Sequence, residues 1–313
     1  MKKSNSKTLL KTTVAAVGVL HCINKLIDSN ANVNTTTKSS GQYYHWKHGD
    51  VFYKVNGHGE PLLLIHDLNV FSSNYEWAQL ASQLADSYTV YTIDLIGCGK
   101  SHKPATTYAN YFYVQLISDF VKNVIGSETK VAATGFSASF VLMANLLDQN
   151  LFDEIMLISP KSIEFFKTNP TEQSKILLKL FDLPVIGKTA YYIATNHTNT
   201  EYFLTKKVFH NYLNVKPGII KAYYDAAHTS NGNGRYLLAC QEGKYLHVDI
   251  TNALRNANKR IVIVNGLHDE NRKSICAAYK KINPNLVFEV ISDSGSLPQL
   301  ENIGEMLELM YHF

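Results

Sequence analysis

The residues best suited to chemistry lie in the stretch 130–140, Lys-Val-Ala-Ala-Thr-Gly-Phe-Ser-Ala-Ser-Phe. Ser137 has small residues two positions away on either side, Gly135 and Ser139. This is the pattern of a nucleophile elbow, G-x-S-x-G, with serine in place of the last glycine. A hydroxyl on a tight turn between strand and helix is presented to a substrate only if its neighbours leave room. The apolar run 131–133 supplies the strand, and the apolar pattern 140–147 supplies the helix. A helix N-terminus beside the serine would aim backbone N–H groups at developing negative charge.

The elements around this stretch alternate. Residues 43–47 and 51–55 read as a hairpin, and 61–65 as a buried strand ending in His66-Asp67-Leu68-Asn69. Helical period follows over 77–84. A strand at 88–93 leads into Asp94-Leu95-Ile96-Gly97-Cys98-Gly99-Lys100-Ser101, and a helix spans 111–125. After the elbow and a strand at 155–158 the alternation stops. Residues 162–259 are helical and Tyr-rich, punctuated by Pro184, Gly187, Pro217 and Asn231-Gly232-Asn233-Gly234. The sheet pattern resumes with a strand at 261–264, a helix at 277–281, a strand at 286–291 and a last helix over about 300–310. The expected fold is α/β, a mostly parallel doubly wound sheet with an inserted helical lid. Residues 42–161 and 260–313 would form the core, with 162–259 inserted as the lid.

These features together resemble the α/β-hydrolase fold, in the lid-bearing branch that includes esterases, epoxide hydrolases and haloalkane dehalogenases. The resemblance covers roughly residues 43–313. It rests on four matches: 62–66 with Asp67, similar to the strand and His-Gly oxyanion loop; Asp94, Gly97, Gly99 and Ser101, similar to the D-x-x-G-x-G-x-S loop; the elbow; and Gly266-Leu267-His268-Asp269. The resemblance implies Ser137 as nucleophile, Asp269 as triad acid, and backbone N–H groups of Ala138 and Leu68 as the oxyanion hole. A serine nucleophile implies ester-like or C–C bond substrates, and argues against dehalogenase and epoxide hydrolase chemistry, for which the family uses Asp at this position.

One departure bears directly on activity. The family follows its last strand with Gly-His, whereas this chain reads Ser294-Gly295-Ser296-Leu297-Pro298. Ser296 stands where the resemblance places the catalytic histidine, and serine cannot serve as a base near neutral pH as imidazole does. His66 and His268 are the candidate alternative bases, each with a structural histidine as its other reading. Asp67 also departs, standing where the family has Gly.

Composition bounds the rest. The 313 residues are 45% hydrophobic and 18% charged, enough for a sizeable core. A net charge of +4 from scattered Lys and Arg excludes a nucleic-acid footprint. Four widely separated cysteines give neither a disulfide framework nor a metal site. Gly99-Lys100-Ser101 imitates the end of a phosphate loop, but Asp94 stands where that loop needs glycine, so no cofactor is expected. At the N-terminus, Lys2, Lys3, Lys7 and Lys11 precede an apolar run at 14–20 and a polar stretch at 29–40. That order reads as a membrane anchor or export signal plus linker over 1–41, lying outside the fold, with the following domain outside the cytoplasm. Two functions compete. The first is a serine hydrolase on a small apolar ester or acyl compound. The second is an inactive hydrolase-fold binding protein that keeps its pocket for a ligand.

Overall fold

The computed structural model describes residues 15–29 and 40–313. The basic residues before 15 and most of the polar stretch after 29 lie outside the described residues. A single eight-stranded sheet organises the chain: β1 (Gln42–Trp46), β2 (Gly49–Asn56), β3 (Glu60–Ile65), β4 (Tyr88–Ile93), β5 (Thr129–Thr134), β6 (Phe152–Ile158), β7 (Arg260–Gly266) and β8 (Val287–Ile291), in the spatial order β1-β2-β4-β3-β5-β6-β7-β8. The β1–β2 hairpin joins β4 antiparallel, and every pair from β4 to β8 is parallel.

The central strands carry apolar residues without a polar alternate because both faces are covered. Successive side chains of a strand point to opposite faces, and here each face has its own core. Leu63, Ile65, Val131, Ala133, Ile155, Leu157, Ile261 and Ile263 enter one cluster. Leu62, Leu64, Ala132, Met156, Ile158, Val262 and Val264 enter the other. Helices α2 (Ala78–Leu84) and α11 (Ile303–Tyr311) close the second face through Leu80, Leu84, Met306 and Met310. Helices α3 (Asn110–Phe120), α4 (Ser137–Leu147) and α10 (Arg272–Ile282) close the first through residues such as Phe120, Phe140 and Tyr279.

Between β6 and β7 every described helix and turn is non-strand: α5 (Glu172–Asp182), α6 (Ile186–Ala194), α7 (His197–Phe203), α8 (Pro217–His228) and α9 (Gly234–Glu242) lead the insertion. It is tied to the sheet domain by buried polar contacts. Lys103, fully buried, donates from Nζ to the Ala226 carbonyl at 2.6 Å. Burial lowers this ammonium group to about 8.

Part of the N-terminus belongs to the fold, which corrects the expectation that the first forty residues stand apart. Residues 15–29 form helix α1, and it docks on the insertion. Asn24 is buried and donates from Nδ2 to Val185 O at 3.2 Å and to Thr189 Oγ1 at 3.0 Å. One turn on, Asp28 accepts from Lys188 and from the Tyr192 hydroxyl. Asn24 and Asp28 are four apart, so both point along one face of the helix. Among the described residues no helix is long and apolar enough to cross a membrane. The Asp28 contacts are largely shielded from water, with the Lys188 and Asp28 side chains 17% and 16% exposed. Asp28→Ala should therefore cost about 1–3 kcal/mol, since it leaves a shielded lysine and a phenol without their acceptor. Urea denaturation monitored by circular dichroism reads the loss, and an unchanged midpoint would show that the α1 contact carries no stability.

Candidate functional site

The strand-to-helix turn after β5 has one residue in the left-handed region, Gly135 at φ +57. Phe136 is already in helical geometry at φ −66, ψ −35, and Ser137 is the first residue of α4. The tip of the elbow is therefore Gly135. Its two small neighbours at spacing two are Ala133 and Ser137. This corrects the assignment of Ser137 as the presented hydroxyl. Ser137 is fully buried, lines none of the cavities described here, and donates from Oγ to the His66 carbonyl at 2.7 Å. Ala138, the expected oxyanion donor, is likewise buried inside α4.

The space beside Gly135 is filled from the loop that follows the neighbouring strand, β3. A Cβ on Gly135 would meet Asp67 Oδ1 at 2.4 Å and Asp67 Cγ at 2.5 Å. Asp67 Oδ1 accepts the Phe136 N–H at 2.7 Å. In an elbow the N–H of the residue after the tip is an oxyanion donor. Here that donor is occupied by a carboxylate of the chain itself. Leu68, the other expected donor, is buried, and its carbonyl accepts from Gln241 of α9.

His66 does not supply a base. It is fully buried with both ring nitrogens engaged. Nε2 accepts the Leu95 N–H at 3.0 Å, which leaves Nδ1 protonated to donate to Asp67 O at 2.6 Å. Burial lowers its pKa, so it stays neutral and structural. His268 is exposed, and its ring stacks on His210 with centroids 3.5 Å apart. Asp269 Oδ1 caps its own turn by accepting the Asn271 N–H at 3.0 Å. His268 and Asp269 border a polar cavity of about 500 Å³ that Ser296 also borders. Ser296 in turn lines a separate cavity of about 170 Å³ with Gly135 and Asp67. The structure thus brings Gly135, Asp67 and Ser296 together, puts Asp269 and His268 next door, and leaves Ser137 in neither place.

The loop around Ser296 is held by the insertion. Ser296 N–H donates to Val208 O at 2.9 Å. Glu301 accepts the Gly295 and His210 N–H groups, each at 2.7 Å. A side chain on Gly295 would strike Val208 O at 2.5 Å, so glycine is required for this close approach. Burial raises the Glu301 pKa. On the opposite side, Asp94 orders its own loop. Its carboxylate takes Asn74 N–H and Nδ2, both at 2.6 Å, and Lys100 N–H at 2.8 Å.

Three residues of the small cavity carry polar chemistry that the sequence reading passed over. Glu76 is 1% exposed, takes the Asp67 N–H at 3.0 Å and receives the Tyr223 hydroxyl of α8 at 3.2 Å. Burial, then the nearby Asp67 carboxylate, raises it to about 8. Tyr223 is raised by burial and by Glu76. Ser159 is 5% exposed, sits at φ +43 at the end of β6, and its hydroxyl has no hydrogen-bond partner. The glycine at a strand end was the available signal for the elbow. Nothing local marks Glu76, whose partner Tyr223 comes from α8.

A family model for the alpha/beta hydrolase family matches residues 62–309, and the chain belongs to that family. Among curated proteins, the fluoroacetate dehalogenase of a Burkholderia species is 44% identical over 68 residues, 21% of this chain and 21% of that protein. The chain thus spans about a fifth of that relative's length. Carboxylesterase CesB from Bacillus subtilis has a similar structure at TM-score 0.68 and 15% identity, covering 94% of this chain and 98% of the esterase. A serine hydrolase involved in carbazole degradation gives 0.69 at 15% identity, over 87% and 97%. At such identities the likeness is one of fold.

Glu76 gives a pH signature. From about 4.3, where an exposed glutamate ionises, up to about 8, the unfolded chain has released a proton that the native chain keeps. Native stability is therefore full at acid pH and falls across that window by at most about 1.4 kcal/mol per unit. Glu76→Gln removes the titration. The difference in melting temperature between variant and wild type should move in the variant's favour from pH 5 to pH 8. A difference independent of pH would mean that Glu76 is not held protonated.

Proposed function

We propose that this chain is a non-hydrolytic member of its family, a binding protein for a small polar ligand held where the family's reaction centre lies. The observation that carries the reading is the Asp67 carboxylate at the elbow, beside Gly135 and on the Phe136 N–H. Acyl transfer needs a hydroxyl at the tip and free donors for the oxyanion. Glycine supplies no nucleophile there. A carboxylate in the donor site opposes any second negative charge. Ser296 stands where the family has its histidine, and His66 is locked between Leu95 and Asp67, so neither residue takes a proton there.

The cavity itself supports a ligand reading. At about 170 Å³ it is smaller than the roughly 300–1,000 Å³ of drug-sized sites, so its occupant would be small. Its walls offer the Asp67 carboxylate as an acceptor and the unpartnered Ser159 hydroxyl, with Glu76 and Lys161 also lining it. A compound rich in hydroxyl or amine donors suits that lining. Phe203, Val208 and Tyr223 of the insertion border the cavity, so the insertion would act as its lid.

The second reading, a serine hydrolase on a small apolar ester or acyl compound, is favoured by the family and by hydrolase neighbours. It would require Ser137 to leave the His66 carbonyl and find a base. A fluorophosphonate probe separates the two. No labelling is expected, and labelling abolished by Ser137→Ala would reinstate the hydrolase. Ser296→His alone should add no esterase activity, because the tip lacks a hydroxyl. The triple variant Asp67→Gly/Gly135→Ser/Ser296→His opens the donor and restores both missing groups. It should gain probe labelling and ester hydrolysis, with a positioned base contributing about 10²–10⁴ in rate. Gly135→Ser without the change at Asp67 should instead destabilise the protein, through the contact at 2.4 Å and the positive φ.

A further inference from the structure

Two stripes of aliphatic side chains face water on neighbouring elements. On α1 they are Val19, Ile23 and Leu26, and on α5 with its C-cap they are Ile176, Leu180 and Leu183. Each set follows the spacing i, i+4 or i+3, i+7 of one helix face. Every one of the six is between 41% and 67% exposed. Single exposed aliphatics are ordinary, but periodic stripes are not. Helix α5 already buries Phe181 and packs Leu177 and Leu178 inward, so its outer stripe is surplus to the core. Helix α1 docks beside the end of α5. Asn24 of α1 bonds the carbonyl of Val185, which sits between exposed Leu183 and exposed Ile186.

We propose that this joint face of α1 and the insertion rests on an anionic phospholipid surface. Charge selects the occupant. Lys2, Lys3, Lys7, Lys11 and Lys25 are opposed in the first 29 residues by Asp28 alone, and Asp28 is paired with Lys188. Basic residues leading into an amphipathic helix are attracted to anionic headgroups. The stripes are aliphatic, without the Trp, Tyr and Arg that dominate protein–protein hot spots. The geometry also fixes how the surface is engaged. Among the described residues no helix is long and apolar enough to cross a membrane. The Asn24–Asp28 side of α1 is committed to α6. The helix therefore lies on the bilayer and holds the insertion against it, so that α5 shares the contact.

The test uses the full chain and sedimentation with vesicles of phosphatidylcholine alone or mixed with phosphatidylglycerol. Binding is expected to the mixed vesicles, weaker to phosphatidylcholine, and reduced by salt. The variant Ile176→Ser/Leu180→Ser/Leu183→Ser changes only exposed side chains and should keep the wild-type melting temperature. It should bind the mixed vesicles at least about tenfold more weakly, as expected from losing three buried aliphatics. Val19→Ser/Ile23→Ser/Leu26→Ser should do the same. Wild-type binding by the α5 variant would overturn the shared surface, leaving at most an N-terminal tether. No binding of the full chain to either vesicle would overturn the proposal altogether. So would a wild-type dimer that the α5 variant dissociates without any vesicle binding, since the face would then belong to a second copy.

Discussion

The hydrogen bond from the Phe136 N–H to the Asp67 carboxylate organises this molecule. It links the loop after β3 to the N-terminus of α4, where the partial positive end of the helix and an unpaired N–H favour an acceptor. For the carboxylate to approach, the residue before Phe136 must present no side chain. Gly135 meets that need and adopts the positive φ that the tight turn demands. Once glycine stands there, the next small residue, Ser137, falls inside the helix, and its hydroxyl turns to the His66 carbonyl. The same atoms that complete the turn thereby fill the place where a nucleophile and its oxyanion would act.

Around this bond lies a chain of buried polar groups. His66 bridges Leu95 N–H and Asp67 O, the Asp67 N–H goes to Glu76, and Glu76 takes the Tyr223 hydroxyl from the insertion. Buried polar groups are costly unless paired, so such a network favours one relative position of loop, sheet and insertion. A histidine in this role gains nothing from titrating. Its neutral form satisfies one donor and one acceptor at once, and burial holds it there. The Ser159 hydroxyl is the exception, strained and unpaired on the same cavity wall, and it motivates assigning the cavity to a ligand.

The insertion looks both ways. Inward, Val208 and Tyr223 close on the loop at Ser296 and on Glu76. Outward, α5 and α6 receive α1 and leave aliphatic stripes in water. Cavity and outer surface are thus borne by one helical unit whose sequence is apolar on more than one face. A helix can satisfy such a pattern only by burying one side in the core and the other against something else.

The sequence by itself determined the sheet. Apolar runs such as 62–65, 131–133 and 261–264 are continuous because both their faces are covered, and that local pattern survives any detail of tertiary contact. It also located the elbow to within two residues, and it marked Ser296 and Asp67 as departures from the family's pattern. What only the tertiary structure decided was which residue stands at the tip. Ala133, Gly135, Ser137 and Ser139 are small residues at spacing two, so the motif fits in two registers. The choice depends on where β5 stops, which its pairing with β6 sets through the Gly135 N–H to Ile158 O bond. The roles of His66 and Glu76 were equally illegible. Their partners Leu95 and Tyr223 lie 29 and 147 residues away, and burial by distant segments, not local spacing, fixes a side chain's protonation. The N-terminal helix showed its basic and apolar character in sequence, but its dock on α6 rests on two side chains, Asn24 and Asp28, that no periodicity marks as paired with residues 160 or more positions on.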